Sequence, residues 1–430
     1  MKSRRMAVVL LAAWVGLGGT VSGEGDLWPG FNGPHQDNKS ADKGLLKSWP
    51  AGGPRLLWRY GQCGIGYSTV TVAGNMIFTS GNIGNKTMVI ALTMEGRLAW
   101  QSPNQEAWTD PVATAQWKDG HATHPGARST PVYSDGMVYQ MNGGGRLAAF
   151  DAKTGKEAWF LNLQGGEIGG APGTWGYAES VTIDGDKVIC TPGGSKTLCI
   201  ALDKKTGKGA WSSGSDGNAA FVSGALVDWK GVRMLLTMSA NNAVGIDART
   251  GRLLWRFPHS TWYGANVNTP VFNDGYVYLT SGYGTKDHVI KLNDSLSSAT
   301  EVWSGKHMDN MHGGVVLVDG YLYGSGDEVK GWHCIEMTTG KDMWTAEGVG
   351  KSDAYHSAYG SVTYADGMLY CVSETGIVAL VEATSKGYRE TGRFKVPSEG
   401  KDPFWNHPVV AGGRLYIRHQ SDLLVYSVKK

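Results

Sequence analysis

Short runs in which apolar and polar residues alternate recur along this chain, and they come in fours. Between 129 and 140, Pro-Val-Tyr-Ser and Met-Val-Tyr-Gln flank Asp135-Gly136. From 145 to 159, Arg-Leu-Ala-Ala-Phe-Asp151 and Glu-Ala-Trp159 flank a turn containing Thr154-Gly155. A period of two predicts strands, and Asp-Gly and Asp-x-x-Thr-Gly predict tight turns between them. Asp151 can accept hydrogen bonds from its own turn, and Gly155 can take the positive φ that closing the hairpin requires. About 35 residues thus give one four-stranded meander.

The unit recurs. Near copies of its second half end at Trp211 and Trp255, and a third, with Glu336 in the Asp position, ends at Trp344. Looser copies end at Trp100, Trp303 and Phe394, while the first half returns at Asp274-Gly275, Asp319-Gly320, Asp366-Gly367 and Gly412-Gly413. A period of roughly 40–50 residues with four short strands per unit is the pattern of a β-propeller. The last unit, 407–428, stops without its tryptophan strand, and Pro54-Arg-Leu-Leu-Trp58-Arg-Tyr60 supplies one at the other end of the chain. The expected fold is all-β: an eight-bladed β-propeller of four-stranded antiparallel blades, its ring closed by the N-terminal strand. Seven blades is the alternative count.

The flanks and composition add a setting. Residues 1–23 carry a basic start, an apolar run too short to span a membrane, and small residues at Val21-Ser-Gly23, as a secretory signal does. A periplasmic or secreted protein is expected. Residues 24–53 read as a Pro- and Gly-rich arm packed against the side or mouth of the propeller domain, 54–430. With 63 glycines, 17 tryptophans, 18 tyrosines and only 18% charged residues, the chain suits turn-dense sheets. A formal net charge of +2 with no basic stripe argues against nucleic acid as partner. Five cysteines leave at least one unpaired; Cys190 and Cys199 could face each other as a disulfide or as two buried thiols.

These Asp-x-x-Thr-Gly-Lys/Arg-x-x-Trp repeats resemble the PQQ-binding-like propeller family, which includes quinoprotein alcohol dehydrogenases and periplasmic assembly scaffolds. The opening Trp28-Pro-Gly-Phe-Asn-Gly-Pro34, followed by the stretch from Leu45 to Trp58, looks like an exported bacterial branch of it. The resemblance implies architecture more than activity, because the tryptophans dock blade on blade in enzyme and scaffold alike. Function is carried by the segments that join one blade's outer strand to the next blade's inner strand, which gather at one mouth. They hold seven of the eleven histidines, including His307, His312, His356 and His407, together with Tyr67, Trp175, Trp262 and Arg128. That concentration points to a site for a small-molecule or carbohydrate ligand.

If the resemblance extends to the dehydrogenases, PQQ and a calcium ion (Ca2+) would be the cofactors, with a separate electron acceptor such as cytochrome c as partner. Glu179, Asn266 and Asn268 would then hold the metal, Asp309 would be the catalytic base, and Arg128 with Trp175 or Trp262 would supply the arginine and the aromatic floor. The bland roles for the same residues are capping loop amides and satisfying turn backbone. Against the enzyme, Cys63 stands alone where many dehydrogenases of the family have an adjacent cysteine pair, and there is no Cys-x-x-Cys-His for haem. A non-catalytic scaffold for protein or polysaccharide is therefore the alternative. A third expectation is a hydrolase or lyase using the histidines, with His121–His124 or His307–His312 on a transition metal.

Overall fold

The computed structural model describes residues 27–108, 125–349, 360–398, 400 and 402–430. The expected signal segment, His121, His124 and His356 lie outside the described residues. Eight four-stranded antiparallel sheets follow one another around a ring: 71–106, 132–162, 182–212, 225–258, 271–305, 316–346, 360–395, and 409–427 completed by Arg55–Tyr60. They are numbered here as blades 1 to 8. Each begins with the strand nearest the central channel. The eight-blade count and the closing strand expected from the repeats are both present.

Turn chemistry sets the strand register. Asp135 and Gly136 sit at φ +49° and +79°, and Asp274-Gly275, Asp319-Gly320 and Asp366-Gly367 repeat the pair of left-handed residues. Two consecutive positive φ values make the hairpin turn whose twist matches the strands it joins. In the outer hairpin, Asp151 Oδ1 accepts the backbone N–H (2.8 Å) and the hydroxyl (2.6 Å) of Thr154, and Asp203 does the same with Thr206.

That outer turn is also the latch between blades. Trp100 Nε1 donates to the Ala152 carbonyl at 2.9 Å, Trp159 to Lys204 at 3.0 Å, and Trp211 to Ala248 at 2.9 Å. Trp303 and Trp344 donate to Met337 and Thr384, each at 2.8 Å. In the four turns that carry the motif, the acceptor is the residue after the turn's Asp or Glu in the following blade. The turn glycine leaves room for the ring: a Cβ on Gly155 would stand 2.6 Å from Trp100. Blade 5 turns on Asn293 without the Thr-Gly pair, and Trp255 of blade 4 accordingly points its N–H at Met234 Sδ, 3.1 Å away. At the closure, Trp58 covers Gly96 of blade 1, so the N-terminal strand performs for blade 8 what the chain's end lacks. The buried Arg418 guanidinium fastens the same seam through the carbonyls of Cys63, Gly64 and Ser68.

Trp49, near the arm's end, packs on Phe394 of blade 7's outer strand and donates its backbone N–H to the Thr391 carbonyl, whereas the earlier part of the arm does not lie on the propeller's side. It enters the central channel and leaves by the same opening, because Leu27 lies beside Gly412 while Asp42 and Leu45 bond to Gly413 and Asp366. All three are at the end carrying the Asp-Gly turns. Inside, Trp28 and Val72 exchange two backbone hydrogen bonds of 2.8 Å, Tyr133 N–H donates to the Pro29 carbonyl, and Lys39–Ser40 pairs in parallel with Tyr364 and Ala365. These bonds satisfy inner-strand edges that would otherwise open onto the channel. All five cysteines are buried free thiols, so Cys190 and Cys199 are not joined.

Candidate functional site

The blade-to-blade segments converge opposite the arm's entrance. They enclose a cavity of about 860 Å³ whose floor is the arm's apex. Tyr67, Arg128, Trp175, Trp262, Asn268, His312 and His407 all line it. Glu179, Asn266 and Asp309 do not.

Two aromatic groups flank the opening. On one side Trp175 meets Phe221 at 5.7 Å and the edge of Tyr263 at 5.5 Å, and Tyr263 reaches Tyr283 at 6.3 Å. Tyr263 holds φ +63° within the single turn Trp262–Gly264, a conformation disfavoured for a bulky side chain. That turn presents Trp262 76% exposed above the cavity. Across the opening, Tyr67 lies 4.9 Å from Trp405, and His312 packs edge-on against Trp405 at 4.4 Å. Both groups leave ring faces and edges to a ligand, which such rings bind by stacking with little loss of side-chain freedom.

Charge is sparse. Arg128 donates to the Trp175 carbonyl at 3.0 Å and lies 5.6 Å from the centre of the Trp108 ring, which positions a guanidinium at the mouth. Asp37 and Lys39 pair with each other at 3.3 Å on the arm. His407 is buried between the His312 carbonyl (2.9 Å) and Asn38 Oδ1 (3.3 Å), and burial depresses its pKa to about 4, so its ring is neutral. Burial pushes the Tyr67 phenol up, keeping its hydroxyl protonated. Asn268 faces the cavity but commits its amide to the Met311 carbonyl (3.2 Å) and accepts from Gly314 N–H (3.2 Å), fixing the loop that carries His312.

The expected metal ligands and base hold backbone instead. Asp309 accepts four backbone N–H groups, from Gly284, Asp327, Glu328 and Val329, at 2.9–3.1 Å. Asn266 donates to the carbonyls of Ser239 and His259 and accepts from Ser281. Glu179, fully enclosed, accepts the Thr191 N–H at 2.7 Å, and desolvation raises its pKa to about 8. A calcium ion needs six or more oxygens converging on one point. These three side chains are each committed to a different loop, and among the described residues no group of three His, Cys, Asp or Glu is placed to hold a metal. The residues present do not fit calcium.

Sequence reasoning missed the arm's part. Phe31, Asn32, His35, Gln36 and Asn38 line the cavity, with the Phe31 ring tilted against His407 at 4.8 Å and Asn32 donating to Thr269. The available signal was Trp28-Pro-Gly-Phe-Asn-Gly-Pro34, an aromatic turn outside the repeat's phase.

Comparison with known proteins gives three kinds of match. The family model described as outer membrane protein assembly factor BamB matches residues 86–346. Quinohemoprotein alcohol dehydrogenase ADH IIB of Pseudomonas putida is 32% identical over 140 residues, which is 31% of this chain and 20% of that protein. The chain thus spans a fifth of that relative's length. Tetrathionate hydrolase of Acidithiobacillus ferrooxidans is 23% identical over 422 residues, 76% of this chain and 79% of that one. Among solved structures, the quinohemoprotein alcohol dehydrogenase of Comamonas testosteroni superposes with a TM-score of 0.65 at 12% identity, covering 94% of this chain and 80% of its own. That likeness is one of fold.

Proposed function

This chain belongs to the PQQ-like repeat family of BamB, and from that premise we propose that it is an exported ligand-binding propeller whose mouth takes a small molecule or glycan. The observation that carries the reading is the convergence of aromatic rings from five connecting segments, with Arg128 among them, on one cavity. Trp175, Trp262, Tyr67 and Trp405 would stack on a flat or sugar ring, and Arg128 would pair with an anionic edge. His312 and His407 hold the far wall in place through the contact between them. Asn268 braces the loop bearing His312.

PQQ, a flat polycarboxylate, is the natural first probe, because its ring matches the aromatic walls and its acid groups match Arg128. Glu179, Asn266 and Asp309 act in this reading as loop braces. The dehydrogenase, with cytochrome c as acceptor, stays an outcome of the test. The titration follows tryptophan fluorescence and melting temperature with PQQ and with a glucan oligosaccharide, each with and without calcium. Saturable binding indifferent to calcium and weakened about tenfold by Arg128→Gln is expected for an anionic ligand. Calcium-dependent PQQ binding that Glu179→Gln abolishes would restore the quinoprotein assignment. Failure of both probes at high micromolar concentration would overturn the small-ligand reading in favour of a scaffold that meets a partner through the exposed Trp262 and Tyr263.

A further inference from the structure

Each blade turns an edge, not a face, to the central channel. The side chains of its innermost strand point sideways between blades, and the strand's backbone fronts the channel. The hairpins decide which peptide groups point inward. Blade 5 closes its Asp-Gly turn on the pair Asn273–Tyr276 and blade 6 on Val318–Tyr321. The next pairs, Phe272–Val277 and Leu317–Leu322, then exchange no hydrogen bonds within their blades, because bonded and non-bonded pairs alternate. The N–H and C=O of Phe272 and Leu317 therefore turn to the channel. The same alternation gives Val72, Tyr133, Ile183, Leu226, Tyr364 and Val410 in the other blades.

The arm meets half of these positions. Trp28 exchanges two bonds of 2.8 Å with Val72, and the carbonyl of the next residue, Pro29, takes the Tyr133 N–H at 2.7 Å. The Asn38 carbonyl accepts from Tyr364 at 2.9 Å, and the Gln36 side chain accepts from Leu226 at 2.8 Å. Among the described residues, nothing bonds the channel-facing groups of Ile183, Phe272, Leu317 and Val410. Two of these four, Phe272 and Leu317, belong to adjacent blades and line the mouth cavity. An N–H and a C=O offered by one residue on one side are matched together by another extended backbone. The arm already shows the geometry, since consecutive residues of one chain serve blades 1 and 2. Blades 5 and 6 present the same pair of positions across the ring, one residue above their inner turns.

We propose that the channel binds a short, free peptide by strand addition, its consecutive residues lying on Phe272 and Leu317 as Trp28 and Pro29 lie on Val72 and Tyr133. The peptide enters through the mouth, because the arm passes twice through the other opening. It is short, because the arm's apex floors the cavity of about 860 Å³. Its contacts are main-chain, so the site tolerates many sequences. This site lies below the rings of the mouth and goes beyond whatever ligand they hold.

Hydrogen–deuterium exchange on the full chain, read amide by amide, tests this with a blocked tetrapeptide of alanine and valine. Without peptide, the Phe272 and Leu317 amides should exchange at least about tenfold faster than those of Val72 and Tyr133, which the arm holds. At about ten times its Kd, the peptide should slow the first two about tenfold and leave the second two unchanged. Calorimetry with forms of the peptide methylated on one nitrogen at a time should show about a tenfold loss for at least one of them. Leu317→Pro removes an N–H that the blade's own ladder does not use, and should weaken the peptide to a similar degree. Phe272 and Leu317 amides that are as slow as Val72 in the free protein, or that bound peptide leaves unmoved, would overturn the strand site. Equal affinity for every methylated form, or no binding at millimolar peptide, would overturn it too. Peptide binding lost in Trp175→Ala with those amides unmoved would sink the strand site and leave the mouth reading intact.

Discussion

The outer turns and the mouth of this propeller are built from the same strands and obey different rules. At the turns, one arrangement is used again and again: a carboxylate closes the loop, a glycine makes room, and a tryptophan from the neighbouring blade donates to the carbonyl beside it. At the mouth no two segments match. Trp175, Tyr263, Trp405 and Arg128 each occur once, in loops of different length held by different anchors. Repetition at one end frees the other from carrying the ring's stability, so the mouth can hold strain at Tyr263 and leave Trp262 in solvent.

The sharpest way to break that contrast is to remove a latch. Trp159→Ala should destabilise by about 3–4 kcal/mol, chiefly from lost ring packing and also from loss of one of the two hydrogen bonds to the Lys204 carbonyl, which Tyr139 keeps, read by denaturant unfolding. A loss below about 1 kcal/mol would mean the ring does not depend on individual latches.

Next in size is a pH effect at the mouth's foundation. The Glu179 carboxyl has a pKa raised to about 8 in the fold, above its unfolded value of 4.5. The folded state therefore retains a proton that the unfolded chain releases, and stability should fall as pH rises from about 4.5 to 8. Between pH 4.5 and 7 the loss should be on the order of 3 kcal/mol. Glu179→Gln, which keeps an acceptor for Thr191 N–H without the charge, should flatten that slope in unfolding curves taken at several pH values.

Two glycines sharpen the contrast further. Gly155 (φ +72°) abuts Trp100, whereas Gly166 (φ +58°) has open space where a Cβ would go. Gly155→Ala should cost about 2–3 kcal/mol, strain plus displacement of the latch, and Gly166→Ala only about 1 kcal/mol of strain. The melting temperatures of the pair should separate accordingly. The smallest effect belongs to the mouth: Trp262→Ala, at an exposed position, should change stability by less than about 0.5 kcal/mol. If Trp262 is a ligand contact, the same change should weaken binding several-fold.

What could be read from the chain divides along the same line. Blade number, strand order and ring closure were legible because Asp-Gly and Asp-x-x-Thr-Gly recur with a fixed local meaning, and because a strand missing at Val428 reappears around Trp58. Seven expected contacts, Tyr67 and Trp175 among them, reach one cavity because they occupy equivalent junctions of the repeat. The roles of Asp309, Asn266 and Glu179 were not legible. A carboxylate or amide at a loop start looks the same in sequence whether it faces a ligand or its own backbone, and the four N–H groups around Asp309 come from stretches 18 to 25 residues away. The arm's place was hidden for another reason. It follows no repeat, and its partners Val72, Thr269, Tyr364 and His407 are scattered through the whole sequence.

The seam at blade 8 has a temporal side. Arg59 grips Asp422 through two hydrogen bonds of 2.9 and 2.8 Å across a separation of 363 residues. A chain made from its N-terminus therefore exposes its first propeller strand long before the partner strand exists. The arm sits a few residues upstream, and the ring must form around it. Closure is a single late event of very high contact order, in which stopper and clasp arrive together. Until then strand 55–60 is an unpaired edge, so the interval before blade 8 emerges is the period in which this protein is most open to mispairing with another copy of itself.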